Sequence, residues 1–337
     1  MKNPRAKHHF LGRTCAITGV GSYVPERILT NADLEKMVET SDEWITTRTG
    51  IMERRIAAAN EFTSDLAAKA AERAMAMAGV TADQIDLIIV ASITPDMPFP
   101  NTACLVQQKL GARRVPAFDI EAACSGFIFA LEVGQNFIAT RTFETVLVIG
   151  AEKLSAITNW TDRNTCVLFG DGAGAAVLQH RPDAHGLLTT ALGADGSKAG
   201  LLSMPGGGSA CPASAQTVAD GLHFLRMDGK ETFKNAVQAM CSAANEVLRR
   251  CEIDITKIKC VIPHQANRRI IDAVGERLGA TPEQLFVNLH KYGNTSAASV
   301  AIALDEAVRS GKVGRGDLIL IVAFGAGLTW GAAIIEW

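Results

Sequence analysis

The chain has 337 residues, 48% hydrophobic and 20% charged, the composition of an ordinary globular protein with length for two domains or one unit built of two halves. Its 33 basic and 35 acidic residues leave a net charge of -2, so there is no global signal for nucleic acid. The basic opening MKNPRAKHHFLGR lacks the apolar stretch of a signal peptide, and every later apolar run is broken by Gly, Pro or charge before it could span a bilayer. A soluble, cytoplasmic protein without membrane attachment is expected, with residues 1–12 as a disordered extension.

In chain order, SDLAAKAAERAMAMAG reads as a helix and DLIIVAS, Asp86 to Ser92, as the strand after it. VPAFDI leads into a helix that opens near Cys124 and runs through GFIFALEVGQNFI. ETVLVIGAE is a further strand, and CVLFGDGAGAAVLQ reads as two adjacent ones. The stretch Pro205 to Asp220 is a Gly/Ser/Ala loop. A helix through FKNAVQAMCSAANEVLRR then precedes the strand IKCVIPH. A short strand at LFVNL precedes a helix through SAASVAIALDEAV, and LILIVAF and TWGAAIIEW close the chain.

This grammar is stated twice. QIDLIIVA matches KIKCVIPH, and Phe169-Gly170-Asp171-Gly172 matches Phe324-Gly325-Ala326-Gly327, each followed by small residues and an apolar strand. Alternation of this kind implies α/β layering around a largely buried sheet, and the long period implies an internal duplication, 13–183 followed by 184–337. A ligand cleft is expected where the copies meet.

Eight cysteines occur, none in a C-x-x-C pair and none beside a zinc-finger histidine pair, so neither a metal site nor a disulfide framework is expected. Cys104, Cys166, Cys241, Cys251 and Cys260 read as packed core thiols. Cys124 differs because small residues crowd it and a helix starts beside it, where unpaired N–H groups favour a thiolate. His264 follows an apolar strand, in the kind of loop that collects ligands. Asn294 precedes a small-residue helix, where an Asn also serves as an N-cap.

TSDEWITTRTGI, AACSGF, FGDGAGA, PHQANRRI, GNTSAAS and FGAGLTWG together make the chain, from about residue 13 onward, resemble the β-ketoacyl-acyl-carrier-protein synthase III family. The resemblance implies the thiolase fold, an α/β fold of duplicated halves layered α-β-α-β-α. Elongating synthases of that fold use two histidines, and degradative thiolases carry a second reactive cysteine near the C-terminus; no cysteine follows Cys260 here.

The activity so implied is condensation of an acyl-CoA primer, acetyl-CoA first, with malonyl-acyl carrier protein to begin fatty-acid synthesis. No permanently bound cofactor is implied. By resemblance, Cys124 carries the acyl group, His264 and Asn294 donate hydrogen bonds to the enolate, and the Cys124 and Ala326 N–H groups form an oxyanion hole. Trp44 and Arg163 would sandwich the adenine of CoA, Arg48 would approach its phosphates, and Asn267 and Gly229 would line the pantetheine channel. Phe169 belongs to the implied acyl pocket, and Phe99 is a gate reaching across a homodimer interface. Arg268, Arg269 and Arg277, with Lys230 and Lys234, are the candidate docking cluster for an acidic acyl carrier protein, interrupted by Glu276.

Ala326 and Lys230 depart from the family pattern, which favours glycine and an uncharged polar residue there. A synthase with the same three residues working in specialised metabolism remains the rival reading. A dinucleotide-binding oxidoreductase, prompted by GDGAGAA, fails because those glycines run into a strand and do not open a helix.

Overall fold

The computed structural model describes residues 14–182 and 186–337. The expected extension at residues 1–12 and the expected boundary between residues 183 and 184 lie outside the described residues.

The first part opens with β1 (Cys15–Tyr23), β2 (Ile28–Thr30), α1 (Asn31–Leu34), α2 (Asp42–Thr49) and β3 (Glu53–Arg55). It continues with α3 (Thr63–Ala78), β4 (Leu87–Ala91), α4 (Thr102–Leu110), β5 (Ala117–Ile120), α5 (Gly126–Ala139), β6 (Thr145–Glu152) and β7 (Gly172–His180). The second part holds β8 (Leu187–Ala194), β9 (Leu202–Ser203), α6 (Ala215–Ala219), β10 (Arg226–Met227), α7 (Gly229–Cys251) and β11 (Cys260–Pro263). It ends with α8 (Arg268–Leu278), α9 (Leu289–Tyr292), α10 (Ala298–Arg309), β12 (Leu318–Gly325) and β13 (Thr329–Glu336).

Two sheets carry the fold, in the orders β1-β7-β6-β4-β5 and β11-β12-β13-β8. In the first, β4 is parallel to β6, and β7 is antiparallel to both β6 and β1. In the second, β11 is parallel to β12, and β13 is antiparallel to both β12 and β8. The repeat seen in sequence is therefore a repeat of strand order. β4 and β6 are buried along their whole length, which is why both read as unbroken apolar runs without alternation.

α5 and α10 form the middle layer. α5 packs on β6 and β4 and also on β13 and β8, while α10 packs on β7, β1 and β6 and also on β11 and β12. A helix between two sheets has no solvent face, so α5 is apolar all round; Phe127, Ile128 and Leu131 are fully buried, each contributing about 1.5–3 kcal/mol. α3 covers the outer face of the first sheet with α4 packed on it, and α7 covers the second with α8 beside it. These are the five α-β-α-β-α layers of the thiolase fold.

Two expected strands are corrected. CVLFGDGAGAAVLQ yields only β7, because Cys166 and Val167 turn into a separate cluster with Leu34 and Ile45 and Phe169 keeps a single bridge to Asn294. LFVNL is reduced to a single bridge, Leu285 to Val261, at the position β5 holds in the first sheet. The Gln265 side chain supplies the missing ladder there, its Oε1 accepting from Asn288 N (2.9 Å) and Leu289 N (3.2 Å). Cys104 is also not a core thiol; it lies exposed on α4.

Candidate active site

Between the layers lies a cavity of about 1140 Å³, above the roughly 300–1,000 Å³ usual for one small ligand. Cys124, His264, Asn294, Phe169 and Ala326 all line it, as do Trp44, Arg48, Gly229 and Asn267 nearer its mouth. The Gly206–Gly208 part of the expected loop forms another wall, although that loop also folds α6, capped by the Ser214 side chain.

After β5 the chain makes one tight turn, Ala123–Ser125, and enters α5 at Gly126. Ala123 has φ 46, a left-handed conformation that costs a non-glycine residue on the order of 1–3 kcal/mol. That turn brings Cys124 to the cavity wall. A Cβ at Gly325 would sit 2.5 Å from Cys124 N, so only glycine lets the FGAG segment lie this close. Thr329 Oγ1 clamps the two segments, meeting Ala122 O at 2.8 Å and Ala326 O at 3.0 Å. The Cys124 and Ala326 backbones are thereby held side by side.

Helix placement does not make this thiol a resting thiolate. Burial pushes Cys124 up to about 12, and the nearby Glu152 carboxylate adds to the rise. The Ser296 hydroxyl and the thiol's own backbone N–H oppose it without prevailing. Desolvation outweighs the dipole here.

His264 follows β11 and is 4% exposed. Its Nδ1 lies 2.6 Å from Ser299 Oγ, which also accepts from Gln265 N at 3.0 Å. The arrangement that uses each group once has the Ser299 O–H donating to Nδ1, which leaves the hydrogen on Nε2. Burial lowers the imidazole to about 4, so the ring is neutral above that pH. A neutral Nε2–H is a donor and not a base. Replacing Ser299 by Ala is expected to release Nδ1 and give a mixture of tautomers; nitrogen NMR of the imidazole should show Nε2–H alone in the wild type.

Asn294 is not an N-cap of α10, which starts at Ala298 behind Ala297. Its backbone is fixed from both sides, N to Leu168 O (2.8 Å) and O from Gly170 N (3.0 Å). Its side-chain oxygen accepts from Ser296 N at 2.8 Å, which leaves the amide NH2 as the group to offer a ligand. Beneath this segment Arg54, fully buried, donates to Val167 O (2.8 Å), Leu29 O (3.1 Å) and Asn31 Oδ1 (2.9 Å). Burial lowers its pKa to about 10, yet three carbonyl acceptors keep the guanidinium in place.

At the mouth, the guanidinium carbons of Arg48 and Arg163 lie 4.8 and 4.6 Å from the Trp44 ring centroid. Arg163 therefore stacks on Trp44 itself and fills the space a sandwiched ring would take; it must swing away to admit one. Asn267 caps α8 with its oxygen and donates to Arg48 O at 3.1 Å, so both ends of its side chain are engaged in the fold. Phe169 packs with Leu154 and Leu225 beside the cavity. Phe99 is 84% exposed and does not line the cavity of its own chain, although Pro98 does.

The expected basic cluster divides. Lys230 and Lys234 are exposed on the first turns of α7, and Arg269 lies 5.9 Å over the Phe233 ring, joining the two helices at the cavity mouth. Arg268 is paired with Asp272 at 2.7 Å. Arg277 is nine residues further on, about 13 Å along the helix, and stands apart from the mouth.

Sequence reasoning missed Ser296, Ser299, Glu152 and Arg54. The two serines lie inside GNTSAAS, where only the Asn carries an expectation from sequence. Glu152 was visible as a lone acid ending the apolar run ETVLVIGAE.

A buried thiol, two uncharged hydrogen-bond donors and an apolar cluster line one cavity here. The fold that brings them together here is that of the thiolase-type acyltransferases. Residues 118–196 match the family model for 3-oxoacyl-[acyl-carrier-protein] synthase III, and residues 248–337 match the model for its C-terminal region. The β-ketoacyl-[acyl-carrier-protein] synthase III of Caldanaerobacter subterraneus subsp. tengcongensis is 59% identical over 321 residues, covering 95% of this chain and 97% of the relative. The crystal structure of 3-oxoacyl-[acyl-carrier-protein] synthase III from Aquifex aeolicus VF5 aligns with a TM-score of 0.90 at 50% identity, over 96% of this chain and 100% of that one. The priming β-ketosynthase of the R1128 polyketide biosynthetic pathway aligns at 0.89 with 36% identity, over 96% of both chains. The chain belongs to the 3-oxoacyl-[acyl-carrier-protein] synthase III family.

Proposed function

We propose that this chain condenses an acyl-CoA primer, acetyl-CoA first, with malonyl-acyl carrier protein, releasing CO2 and CoA and yielding a 3-ketoacyl-acyl carrier protein that begins fatty-acid synthesis. The observation that carries this reading is the presence of Cys124, His264 and Asn294 in the lining of one cavity, together with the apolar cluster of Phe169, Leu154 and Leu225.

Cys124 takes the acyl group as a thioester, which divides one difficult carbon–carbon bond formation into two easier steps. The Cys124 and Ala326 N–H groups receive the oxyanion of the first step, and the close approach at Gly325 supports their pairing. In the second step the malonyl group loses CO2 and its enolate oxygen is held by His264 Nε2–H and the Asn294 amide. Neither donor changes protonation, so the stabilisation is electrostatic. The enolate carbon then attacks the acyl thioester and expels the Cys124 thiolate, which takes one proton from solvent to return as a thiol.

CoA enters past Trp44, Arg48 and Arg163 once Arg163 unstacks, with Gly229 and Asn267 along its arm. Arg269, Lys230 and Lys234 form the docking face for the carrier protein. The exposed Phe99, with Met97 43% exposed beside it, supports a homodimer in which Phe99 reaches the partner's acyl pocket. The two halves divide near residue 183, and the protein works in the cytoplasm without a resident cofactor. Among the described residues no helix is long and apolar enough to cross a membrane and no cluster of metal-ligating side chains occurs.

The test is intact-protein mass after incubation with a panel of acyl-CoAs, followed by malonyl-acyl carrier protein. One acyl adduct per chain and a 3-ketoacyl carrier product are expected, the preferred primer reporting pocket size. No adduct with any acyl-CoA would overturn the acyl-CoA priming step, and an adduct that refuses malonyl-acyl carrier protein would favour the specialised-metabolite reading.

A further inference from the structure

When a thioester transfers its acyl group to Cys124, the thiol proton must be held until the departing thiolate takes it. His264 Nε2 already bears a hydrogen, because Ser299 Oγ occupies Nδ1 at 2.6 Å. Asn294 does not titrate. The groups assigned so far thus leave that proton without a holder.

Behind the thiol lies Glu152, the last residue of β6, with no exposed surface. Thr94 Oγ1 donates to its carboxylate at 2.6 Å, and Thr94 in turn accepts from Lys153 N at 2.8 Å. Ile93 N donates at 3.2 Å and Ser92 Oγ at 3.3 Å. The Ala297 N–H reaches it from the other half, where a Cβ at Gly150 would stand 2.4 Å from Ala297 O. Among the described residues no cation pairs with it. Lys153, next in sequence, turns its ammonium to Ala58 O (2.9 Å) and Glu61 O (2.6 Å). The titratable group that faces Glu152 is the Cys124 thiol.

Ser296 stands between them. It is 1% exposed and has φ 48, a left-handed conformation repeating that of Ala123 at the start of the other central helix. Its hydroxyl faces both the thiol and the carboxylate without completing a well-formed hydrogen bond to either. A strained residue with a buried, unsatisfied hydroxyl calls for an explanation beyond packing.

We infer that Glu152, acting through the Ser296 hydroxyl, holds the Cys124 thiol proton during acyl transfer. As Sγ bonds to the thioester carbonyl carbon, the Sγ–H proton passes to Ser296 Oγ, and the proton already on Ser296 Oγ passes to the Glu152 carboxylate. When the intermediate collapses, the bond to the CoA sulfur breaks and its electron pair leaves on that sulfur. Glu152 then returns its proton by way of Ser296, which lines the cavity, and CoA departs as a thiol. No proton is gained or lost overall, and no oxidant or reductant is needed. Glu152 is a positioning residue in this scheme, since it touches the reacting sulfur only through Ser296.

Burial raises the Glu152 carboxyl to about 7, with Thr94, Ile93, Ser296 and Ala297 pulling the other way, so it can take up and release a proton near neutrality. The ionised form is the acceptor, so acylation should accelerate as pH rises through that value.

The inference rests on the acyl-cysteine reading, and one experiment separates the two. Single-turnover acylation by acetyl-CoA is followed by rapid quench and mass across pH for the wild type, Glu152→Gln and Ser296→Ala. The wild type should show a rising limb centred near 7. Both variants should lose that limb and acylate about 100-fold more slowly, the lower end of what a positioned acid–base group contributes. Decarboxylation of malonyl-acyl carrier protein, which moves no thiol proton, should persist in both and reports an intact pocket. Variants that acylate at the wild-type rate or faster, with the limb retained, overturn the relay; a faster Glu152→Gln would mean that the carboxylate only repels the thiolate. A wild type that forms no adduct overturns the acyl-cysteine reading itself.

Discussion

Cys124→Ala is expected to form no acyl adduct with any acyl-CoA and to make no 3-ketoacyl product, while still releasing CO2 slowly from malonyl-acyl carrier protein. The division follows from which groups serve which step. The thiol alone can hold the acyl group, whereas His264 and Asn294 stand on separate segments, each fixed by its own contacts. Alanine also suits the site physically. The removed sulfur lines the cavity and does not fill a core layer, so the stability change should stay within about 1 kcal/mol. Intact mass and CO2 release, measured on one preparation with its thermal midpoint, check all three statements. An adduct surviving on the alanine variant would move the nucleophile elsewhere, and the exposed Cys104 would be the first place to look.

Much of this arrangement is legible in the sequence. The duplication was visible because both copies keep a parallel strand pair buried on two faces, and such strands must be unbroken apolar runs. Cys124 stands out for its small neighbours, and the FGAG segment approaches so closely that a Cβ at Gly325 would come 3.1 Å from Ala123 Cβ. Less legible was anything that depends on where an apolar residue goes. Cys166 and Val167 are apolar enough for a strand, yet they fill a side cluster, and only Phe169 keeps a ladder contact. LFVNL fails as a strand because one amide side chain, Gln265, takes the hydrogen bonds a neighbour would supply, and no periodicity announces that.

Protonation was the least accessible property. A cysteine at a helix start favours the thiolate, but the burial of Cys124 outweighs that effect here. His264 shows the same dependence with a useful result. Burial that would spoil a base makes a dependable neutral donor, and Ser299 fixes which nitrogen donates. Both conclusions needed the surroundings of the side chain and not its position in a motif.

Asn294→Asp is the substitution expected to hurt condensation most while sparing acylation. The Ser296 N–H to Oδ1 bond at 2.8 Å can persist with a carboxylate, so the segment should keep its shape. What changes is the other arm, where a donor NH2 becomes an acceptor facing the oxygen on which charge develops. Losing one such donor costs about 3–4 kcal/mol, or roughly 100- to 1,000-fold in rate. Repulsion between two anions adds to that loss, so condensation should fall by at least about 1,000-fold at neutral pH. Acyl-Cys124 should still form, because that step relies on the Cys124 and Ala326 backbones. The introduced Asp sits where burial raises a carboxyl above its usual range, and once protonated it regains a hydrogen to donate. Condensation by the variant should therefore recover partly as pH falls, whereas the wild-type donor, which does not titrate, gains nothing from acid. Acyl adduct and 3-ketoacyl product measured together across pH decide it: loss of the adduct, or a variant as active as the wild type at neutral pH, would remove Asn294 from the enolate site.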